Sequence, residues 1–457
     1  MVARYKWLAM LVVLAIVLTG CGPTPTPETV IVKETVSVTV KETVTVKETV
    51  PVTVKETVVV PKDKVTITIA YGRFLLSSFG PGPAPLDVIK AEVEKVYPYI
   101  DVQINLMPDT TNAWHDSLAI WLTAKDKTVD IMGIDTPWLL EFGKAGWAVP
   151  LNGKIPNLES EFVTAGLDAW SYEGNRLAVP FWGSLSALFY RKDLLAKYGF
   201  QPPKTFDEML SQAQTIAAGE PDVMGYAWPG SRSETLVMVW AGMLTSFGGT
   251  YFTPDGKCAA NSPQGVAAVQ ALFDTIKKVS PEDVIAWDAK AVRTQFSEGK
   301  AAFMWHNADP ISWLDDPTRS KVPGNWGVMP FPAQPGGKPS GITGGFAFAI
   351  NPYTDTMDEA LKVMQVIASR PVQKGFAIAW GPVQYYKGLY DDPEVQAANK
   401  NSYLYGDLLP SALNRPPSTK YAELSSILQE ELHSAITGIK PVKTALDDAC
   451  KRIDSIK

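Results

Sequence analysis

Cysteine and histidine are scarce in this sequence, which has 3 of each among 457 residues. The histidines are scattered (His115, His306 and His433), and none has a second metal-binding side chain at helical or loop spacing, so the sequence predicts no metal site. The folded part has only Cys258 and Cys450, which are too few for a disulfide framework. They could pair outside the cell, but we expect two unpaired thiols.

A surplus of positive charge is also missing, since the formal net charge is −6 at pH 7. A protein that binds nucleic acid needs basic side chains to neutralise phosphate, so we expect no nucleic-acid partner. The sequence has neither a G-x-S-x-G nucleophile motif nor a phosphate-binding P-loop. The stretch Gly80-Pro81-Gly82-Pro83 resembles a glycine loop, but its prolines have no N–H to offer a phosphate. We therefore expect no cofactor.

Tryptophan, in contrast, is abundant, with 14 residues in a chain whose hydrophobic content is 46%. A chain of this length can form two or three domains with packed cores. Large aromatic rings are costly to expose without a use. We expect some of them to line a binding site and the others to pack in the cores.

The N-terminus has the order of a secretory signal, because Arg4 and Lys6 come before an uncharged run that ends at Gly20. The run is shorter than the about 20 apolar residues that a membrane-spanning helix needs, although an uncut anchor helix is the alternative. The stretch Leu18-Thr19-Gly20-Cys21 resembles a lipobox, the cleavage motif of bacterial lipoproteins. This resemblance implies loss of residues 1–20 and a lipid on Cys21, which would hold the mature protein at a membrane surface.

Residues 21–63 have a different composition from the rest of the chain. The sequence VKETV occurs four times, starting at Val32, Val40, Val46 and Val54. Valine and threonine alternate with charged residues at strand period, but no hairpin turn separates the copies, so this segment cannot bury a face alone. We interpret it as an extended tether, with a self-associating β-stalk as the alternative.

From Lys64 onward, predicted strands alternate with predicted helices. The strands are at 64–72, 100–107 and 129–135, and the helices at 85–97, 111–126 and 137–146. This alternation predicts a parallel sheet with right-handed crossovers. Ligands of such sheets bind beyond the carboxyl ends of the strands, where this sequence has Arg73, Asp109 and Asp135.

A second α/β region follows the first. Its helices are predicted at 188–197, 205–217, 234–246, 262–278 and 289–298, and the C-terminus is predicted helical over 419–455 with an interruption near Gly438. One sheet cannot hold all of these elements. We predict an α/β fold of two lobes, each a mixed, mostly parallel sheet flanked by helices, with a ligand cleft between them. The predicted lobes are 64–180 plus 343–396, and 181–342 plus 397–457.

Several short motifs follow one another in a fixed order along the globular part. They are Asp130 to Asp135 with Ala145-Gly146-Trp147, Ala178 to Trp182 with Leu188 to Leu194, Pro203 to Glu208, Phe296 to Met304, and Gly344-Gly345-Phe346. The ordered set resembles the sugar-binding group of extracellular solute-binding proteins of ABC importers, which includes the maltose and trehalose/maltose binding proteins. The resemblance extends from about residue 65 to residue 455.

This resemblance implies a periplasmic-binding-protein-like fold of type II and a protein that binds without catalysis. Ligand binding would shift an open–closed equilibrium through strands that cross between the lobes near 178–182 and 341–346, and through a third crossing near 395–400. The implied partners are a small-molecule sugar, the membrane subunits of an ABC permease and, through Cys21, a membrane surface. The protein would be a monomer outside the cytoplasm, at the cell surface or in the periplasm.

The resemblance also assigns ligand-binding roles to particular residues. Asp135 would hold sugar hydroxyls, with capping of the following helix as the alternative. Trp182 would stack on a sugar, with hinge packing as the alternative, and Phe346 would also stack. Gly344 and Gly345 would let backbone approach the ligand or serve the hinge.

Other residues are further candidates for the site. Arg415 matches an arginine that reaches sugar hydroxyls in the family, with a surface salt bridge as the alternative. Trp228 lies in a predicted loop and Trp305 near a family aromatic position, and Arg73 and Asp109 complete the set. Many relatives have an aspartate just after the position of Trp182, where this chain has glycine and serine.

The expected ligand follows from the same residue types. A sugar has hydroxyl rims, which bind carboxylates, amides and arginine, and C–H faces, which stack on aromatic rings. We expect an oligosaccharide before a monosaccharide, with a polyol or glycerophosphodiester as alternatives. Carboxylates are plentiful, with 48 aspartates and glutamates, so a lipoprotein glycoside hydrolase is the alternative from a different class.

Overall fold

The computed structural model describes residues 63–76, 82–108, 110–381 and 385–456. The predicted signal peptide, the predicted lipidation site Cys21 and the VKETV repeats lie outside these residues, as does Asp109. Within the described ranges, every helix is too short or too polar to cross a bilayer.

The secondary structure of the described residues alternates between strands and helices. The strands are β1 Val65–Tyr71, β2 Ile100–Leu106, β3 Ile131–Asp135, β4 Ser171–Tyr172, β5 Asn175–Arg176, β6 Val179–Arg191, β7 Met224–Ala227, β8 Ala301–Asn307, β9 Trp326–Met329, β10 Gly341–Ile350 and β11 Ala412–Leu413. The helices are α1 Pro85–Val96, α2 Thr111–Thr123, α3 Leu139–Ala145, α4 Leu158–Glu161, α5 Thr164–Asp168, α6 Lys192–Lys197, α7 Phe206–Gly219, α8 Glu234–Ser246, α9 Pro263–Thr275, α10 Ala289–Ser297, α11 Met357–Ile367, α12 Arg370–Trp380, α13 Pro393–Ala398, α14 Leu404–Leu408, α15 Tyr421–Ile436 and α16 Val442–Ser455.

One hydrogen-bonded sheet joins the two halves of the fold. Its strand order is β2-β1-β3-β10-β6-β8-β7, with β11 paired to β10 and β9 paired to β6. Strand β1 is parallel to β2 and β3, and β7 is parallel to β8. Strand β10 is antiparallel to β3 and β6, and β6 is antiparallel to β8. The sheet is therefore mixed, with its antiparallel pairs where β6 and β10 cross between the halves.

Two sets of buried apolar side chains lie on either side of this crossing. The first contains residues from 67 to 181 and from 347 to 395. The second contains residues from 185 to 342 and from 405 to 453, in two adjoining clusters. We call these parts the first and the second lobe. Their residue boundaries stay a prediction, which this division of the cores supports.

The helix predicted at 188–197 is wrong in its first half. Strand β6 continues to Arg191, and only Lys192–Lys197 is helical. Leu188 and Phe189 are fully buried between β8 and β9, with which they pair. A strand buried on both faces is a continuous apolar run, which by periodicity alone cannot be distinguished from a buried helix.

The expectation of unpaired thiols is also wrong. Cys258 and Cys450 form a disulfide, with Cα atoms 5.1 Å apart and 192 positions between them in sequence. The bond ties the loop before α9 to helix α16, and Asp454 accepts a hydrogen bond from the Cys258 N–H nearby, at 2.9 Å. A cross-link over so long a loop removes conformational freedom from the unfolded chain, which stabilises the second lobe.

Candidate functional site

The crossing strands present one set of side chains to a cavity. Phe346 of β10 pairs with Trp182 of β6, and Gly344 pairs with Ser184. Side chains directly opposite each other, and those two positions apart on one strand, lie on the same face of a sheet. The four positions therefore face one way. Phe346 also pairs with Asp135 at the end of β3, which brings this carboxylate to the same place.

These residues line a cavity of about 570 Å³. Small-molecule sites usually have volumes of about 300 to 1,000 Å³, so the cavity has room for one small ligand. Its walls come from both lobes: Thr110, Thr111, Asn112, Asp135, Trp182, Ser184, Arg232, Ser233, Glu234, Thr235, Met238, Asp288, Asn307, Gly344, Gly345, Phe346, Arg415 and Gln429. Thr110 caps α2 by accepting the Ala113 N–H, which places the first turn of that helix at the cavity.

A buried guanidinium joins the lobes at one side of this cavity. Arg415 donates to Asp135 from both terminal nitrogens, at 2.6 Å and 3.3 Å. One of these nitrogens also donates to Glu234 Oε1 at 3.0 Å. Tyr421 donates to the same oxygen at 2.5 Å, and Ser425 donates to the other. We call Asp135, Glu234 and Arg415 the carboxylate–arginine cluster.

Strand β11 explains how Arg415 reaches this position. Its two residues pair with Gly341 and Ile342 of β10, and the chain then runs beside the crossing strands. Thr343 donates to Leu413 O at 3.1 Å and to Asn414 Oδ1 at 2.7 Å, which holds the residue just before Arg415.

The electrostatics of the cluster are dominated by burial. Burial raises the pKa of Asp135 above its ordinary value, and the nearby Arg415 opposes this shift. Burial alone would lower the pKa of Arg415, but the charges of Asp135 and Glu234 raise it above its usual range. Burial and the charge of Glu234 also raise the pKa of Tyr421. The guanidinium therefore stays charged, and it makes three hydrogen bonds to carboxylates of the protein.

Aromatic rings form the apolar wall of the cavity. The rings of Trp182 and Phe346 are 5.4 Å apart and tilted by 34°. Behind them, Phe346 stacks on Trp114 at 5.7 Å with nearly parallel planes, 11° apart. Trp182 and Phe346 are only partly buried, whereas Trp114 is 2% exposed. A buried ring thus packs against Phe346, which is itself only partly buried and lines the cavity.

The two glycines of β10 have different roles. A Cβ at Gly345 would lie 2.7 Å from Trp182 O and 3.5 Å from the Tyr385 hydroxyl, so no side chain fits there. A Cβ at Gly344 would meet its neighbours at 3.6 Å or more, in ordinary contact, and all three of them, Arg415, Ser184 and Met238, line the cavity. Gly345 thus serves the packing of the crossing strands, and Gly344 leaves space in the cavity.

The predicted site residues divide into three groups. Six of them line the cavity together, namely Asp135, Trp182, Gly344, Gly345, Phe346 and Arg415. Arg73 is exposed in a short 3-10 helix after β1 and is not among the described residues that line it. Asp109 lies outside the described residues.

The expectation that Trp228 and Trp305 face the ligand is corrected. Both are almost fully buried in the core of the second lobe, at 0% and 1% exposure. Trp228 donates from its indole N–H to Thr275 Oγ1 at 3.1 Å, which satisfies its polar atom inside the core. Trp305 lies in β8, paired with Leu188 of β6.

Other polar residues line the cavity although the sequence did not single them out. Glu234 begins α8 after the N-cap Ser233, and Asp288 caps α10 by accepting the Ala291 N–H at 2.7 Å. Asn307 ends β8 and pairs with Ser186 of β6. The start signals of α8 and α10 were visible in the sequence, but which helix starts face one cavity depends on the tertiary structure.

Two further cavities lie near this one. One, of about 720 Å³, is lined by His115, whose Nε2 is 2.8 Å from Glu141 Oε2. Burial lowers the pKa of His115, but the contact with Glu141 outweighs this effect, so the pKa is raised overall. The described residues lining it include no tryptophan, tyrosine or phenylalanine, so it has no platform for a sugar ring. The other is apolar and includes Tyr385 and Leu409. Of these three cavities, the one at Trp182 combines the partly exposed rings of Trp182 and Phe346 with three carboxylates.

Comparison with known proteins defines the class to which this fold and cavity belong. Residues 79–374 match the family of bacterial extracellular solute-binding proteins, and the chain belongs to that family. A probable ABC transporter-binding protein of Deinococcus radiodurans is 30% identical over 334 residues, which are 69% of this chain and 77% of the relative.

Solved structures show the same architecture. Maltose-bound MalE3 of T. maritima is 30% identical, has a TM-score of 0.77, and matches 86% of this chain and 100% of its own. A solute-binding protein of Agrobacterium radiobacter K84, solved with ribitol, is 24% identical with a TM-score of 0.77, covering 87% of this chain and 100% of its own. These matches confirm the predicted two-lobed α/β fold class.

Proposed function

We propose that this protein captures a neutral sugar or polyol in the cavity at Trp182 and delivers it to the permease of an ABC importer. The observation that carries this proposal is the cavity itself, in which partly exposed aromatic rings stand next to carboxylates, amides and hydroxyls contributed by both lobes. The family membership and the relative described as an ABC transporter-binding protein support the transport role.

The chemistry of the walls supports a neutral polyhydroxylated ligand. The C–H face of a sugar packs on Trp182 and Phe346, because large flat rings give a large apolar contact area. Hydroxyl groups bind the polar rim by charge-assisted hydrogen bonds. The cavity wall has three carboxylates, Asp135, Glu234 and Asp288, and two arginines, Arg232 and Arg415, so it offers no surplus of positive charge to a phosphate or carboxylate ligand.

Within this class, a short oligosaccharide is our first choice. MalE3 of T. maritima, at 30% identity, was solved with maltose, which is a disaccharide. Another relative, at 24% identity, is a maltotriose-binding protein of Pyrococcus abyssi. A polyol is the alternative, because the Agrobacterium relative was solved with ribitol. Binding would close the lobes through β6 and β10, with a third crossing near 395–400.

A titration of the purified protein tests this function. We expect maltose, maltotriose, ribitol or D-mannitol to give a saturable change in tryptophan fluorescence at micromolar concentration or below, because Trp182 lines the cavity. Chromatography of the mixture should recover the sugar intact. Turnover of a bound glycoside would instead favour the hydrolase alternative, and no response to any sugar or polyol would contradict the proposed ligand class.

We also propose that Cys21 carries a lipid that anchors the protein outside the cytoplasm. The lipobox-like sequence before Cys21 supports this, as does membership of an extracellular family. Replacing Cys21 with serine should release the protein from membranes into the soluble fraction and abolish incorporation of radiolabelled palmitate. A C258S/C450S variant is the control, since it removes the other two cysteines, which form the disulfide, and should still be labelled. Labelling of Cys21→Ser would contradict the assignment.

A further inference from the structure

Two buried polar atoms at one end of the cavity have no hydrogen-bond partner in the described part of the protein. They are Ser184 Oγ and Asn307 Oδ1. Both residues line the cavity at Trp182. An unpaired buried polar atom is costly, so two of them among the residues of one cavity call for a physical explanation.

The strand pairing places the two residues on the same face of the sheet, diagonally across adjacent strands. Asn307 is the last residue of β8 and lies opposite Ser186 of β6. Ser184 is two positions along β6 from Ser186, so the period of two puts Ser184 and Asn307 on the same side. Gly344 lies opposite Ser184 and has no side chain to cover it.

The next serine on the same face of β6, Ser186, does have a hydrogen-bond partner. Ser186 is also buried, but its hydroxyl accepts the Ile342 N–H at 2.8 Å and thereby links β6 to β10. A serine on this strand can therefore find a backbone partner. Ser184, which is 6% exposed, has no such partner among the described residues.

We propose that Ser184 and Asn307 together bind one hydroxyl group of the ligand and so select a neutral, hydroxyl-bearing compound at this end of the cavity. This inference rests on the function proposed above. Asn307 Oδ1 can only accept a hydrogen bond, whereas the Ser184 hydroxyl can donate or accept. A ligand hydroxyl matches both, because it donates to the amide oxygen and accepts from the serine.

The same pair rejects other chemistries. A carboxylate or phosphate oxygen on the ligand would face Asn307 Oδ1 with no proton to share, so an anionic group is disfavoured here. A ligand that lacks the hydroxyl would leave both protein atoms buried and unpaired, which is the strongest form of discrimination by hydrogen bonding. We therefore expect sugar phosphates, uronic acids and deoxy sugars to bind weakly when the modified position of the sugar lies at Ser184 and Asn307.

Monodeoxy ligands and single variants test the inference together. The probe is whichever of maltose, ribitol and D-mannitol binds the purified full-length protein most tightly by calorimetry, along with its monodeoxy derivatives. We expect one derivative to bind the wild-type protein about 10- to 100-fold more weakly than its parent. Asn307→Ala should bind the parent and that derivative within about threefold of each other, since the hydroxyl then has no acceptor to lose.

Further variants separate the hydrogen bond from general damage. Ser184→Ala should reduce the same parent-to-derivative ratio, and Asn307→Asp, which keeps an oxygen acceptor, should bind the parent more tightly than Asn307→Ala. Ser186→Ala is the matched control: it should lower stability but leave the ratio as in the wild type.

The outcomes distinguish the inference from the function on which it rests. If the parent binds but no derivative loses affinity through Asn307, or if Ser186→Ala changes the ratio equally, the hydroxyl-binding role is overturned and the sugar-binding function stands. If neither sugars nor polyols bind the wild-type protein, both are overturned.

Discussion

Replacing Arg415 with alanine is expected to lower the free energy of unfolding by about 3–5 kcal/mol, because a buried ion pair that loses one partner leaves uncompensated charge behind. Asp135 and Glu234 have side chains that are only 5% and 13% exposed, and Arg415 contacts both. The variant would keep two carboxylates near each other without their cation. Urea denaturation followed by circular dichroism would measure the loss.

The loss should depend on pH in a defined direction. Burial already raises the pKa of Asp135 in the folded protein, and removal of Arg415 takes away the charge that opposes this shift. A carboxyl with a raised folded-state pKa favours folding when it is protonated, and this contribution disappears as pH rises through that pKa. The deficit of Arg415→Ala relative to the wild type should therefore be smaller at pH 5 than at pH 8.

Arg176→Ala is the matched control for this experiment. Arg176 pairs with Asp168 at the same 2.6 Å, but Asp168 is 62% exposed, so the change should cost at most about 1 kcal/mol. Adding Asp135→Asn to Arg415→Ala should recover part of the stability, since it removes one of the unpaired charges. A loss no greater than that of Arg176→Ala would show that the cluster contributes little to the fold.

Replacing Trp182 with alanine is expected to weaken ligand binding about 30-fold or more, which corresponds to about 2 kcal/mol for a buried aromatic contact. Trp182 is a partly buried ring of the cavity wall. It lies on the crossing strand β6, with its ring 5.4 Å from that of Phe346. Its removal would take away the apolar face on which a sugar packs. Calorimetry is the suitable measurement, because it does not depend on the fluorescence of the deleted residue.

Trp147→Ala controls for the loss of a partly buried tryptophan. Trp147 packs edge-to-face on Phe142 at 5.6 Å in the first lobe and is not among the described residues that line the cavity. We expect this variant to lose stability and to keep its affinity. Trp182→Phe should bind with intermediate affinity, since a smaller ring still stacks. An unchanged dissociation constant for Trp182→Ala would place the ligand elsewhere.

Much of the fold and part of the site were predictable from local signals. The alternation of strands and helices gave β1 to β3 with their helices, and the helix predicted at 234–246 is α8. Asp135 was found because it ends a buried strand, where α/β sheets bind ligands. Phe346 and the two glycines were identified through the family resemblance, and β10 brings them to the same cavity as Asp135.

The rest depended on contacts between distant parts of the chain. A tryptophan after a short strand gives the same sequence pattern whether it faces a cavity or a core. Trp228 faces the core, where Thr275 accepts its indole N–H. Glu234 is a common residue for the first turn of a helix, and only Arg415 and Tyr421 give it a second role. The pairing of Cys258 with Cys450 needed α16 to pack beside the loop before α9.

The position of β10 in the sheet also affects when the first lobe can fold during synthesis. Strand β3 needs β10 as its neighbour, and Thr136 at its end donates to Gly345 O, 209 positions later. The ribosome must therefore make nearly the whole second lobe before the first can complete its sheet. A nascent chain of this design stays incompletely folded for most of its translation. Such a delay suits a member of an extracellular family, whose lobes have to assemble outside the cytoplasm.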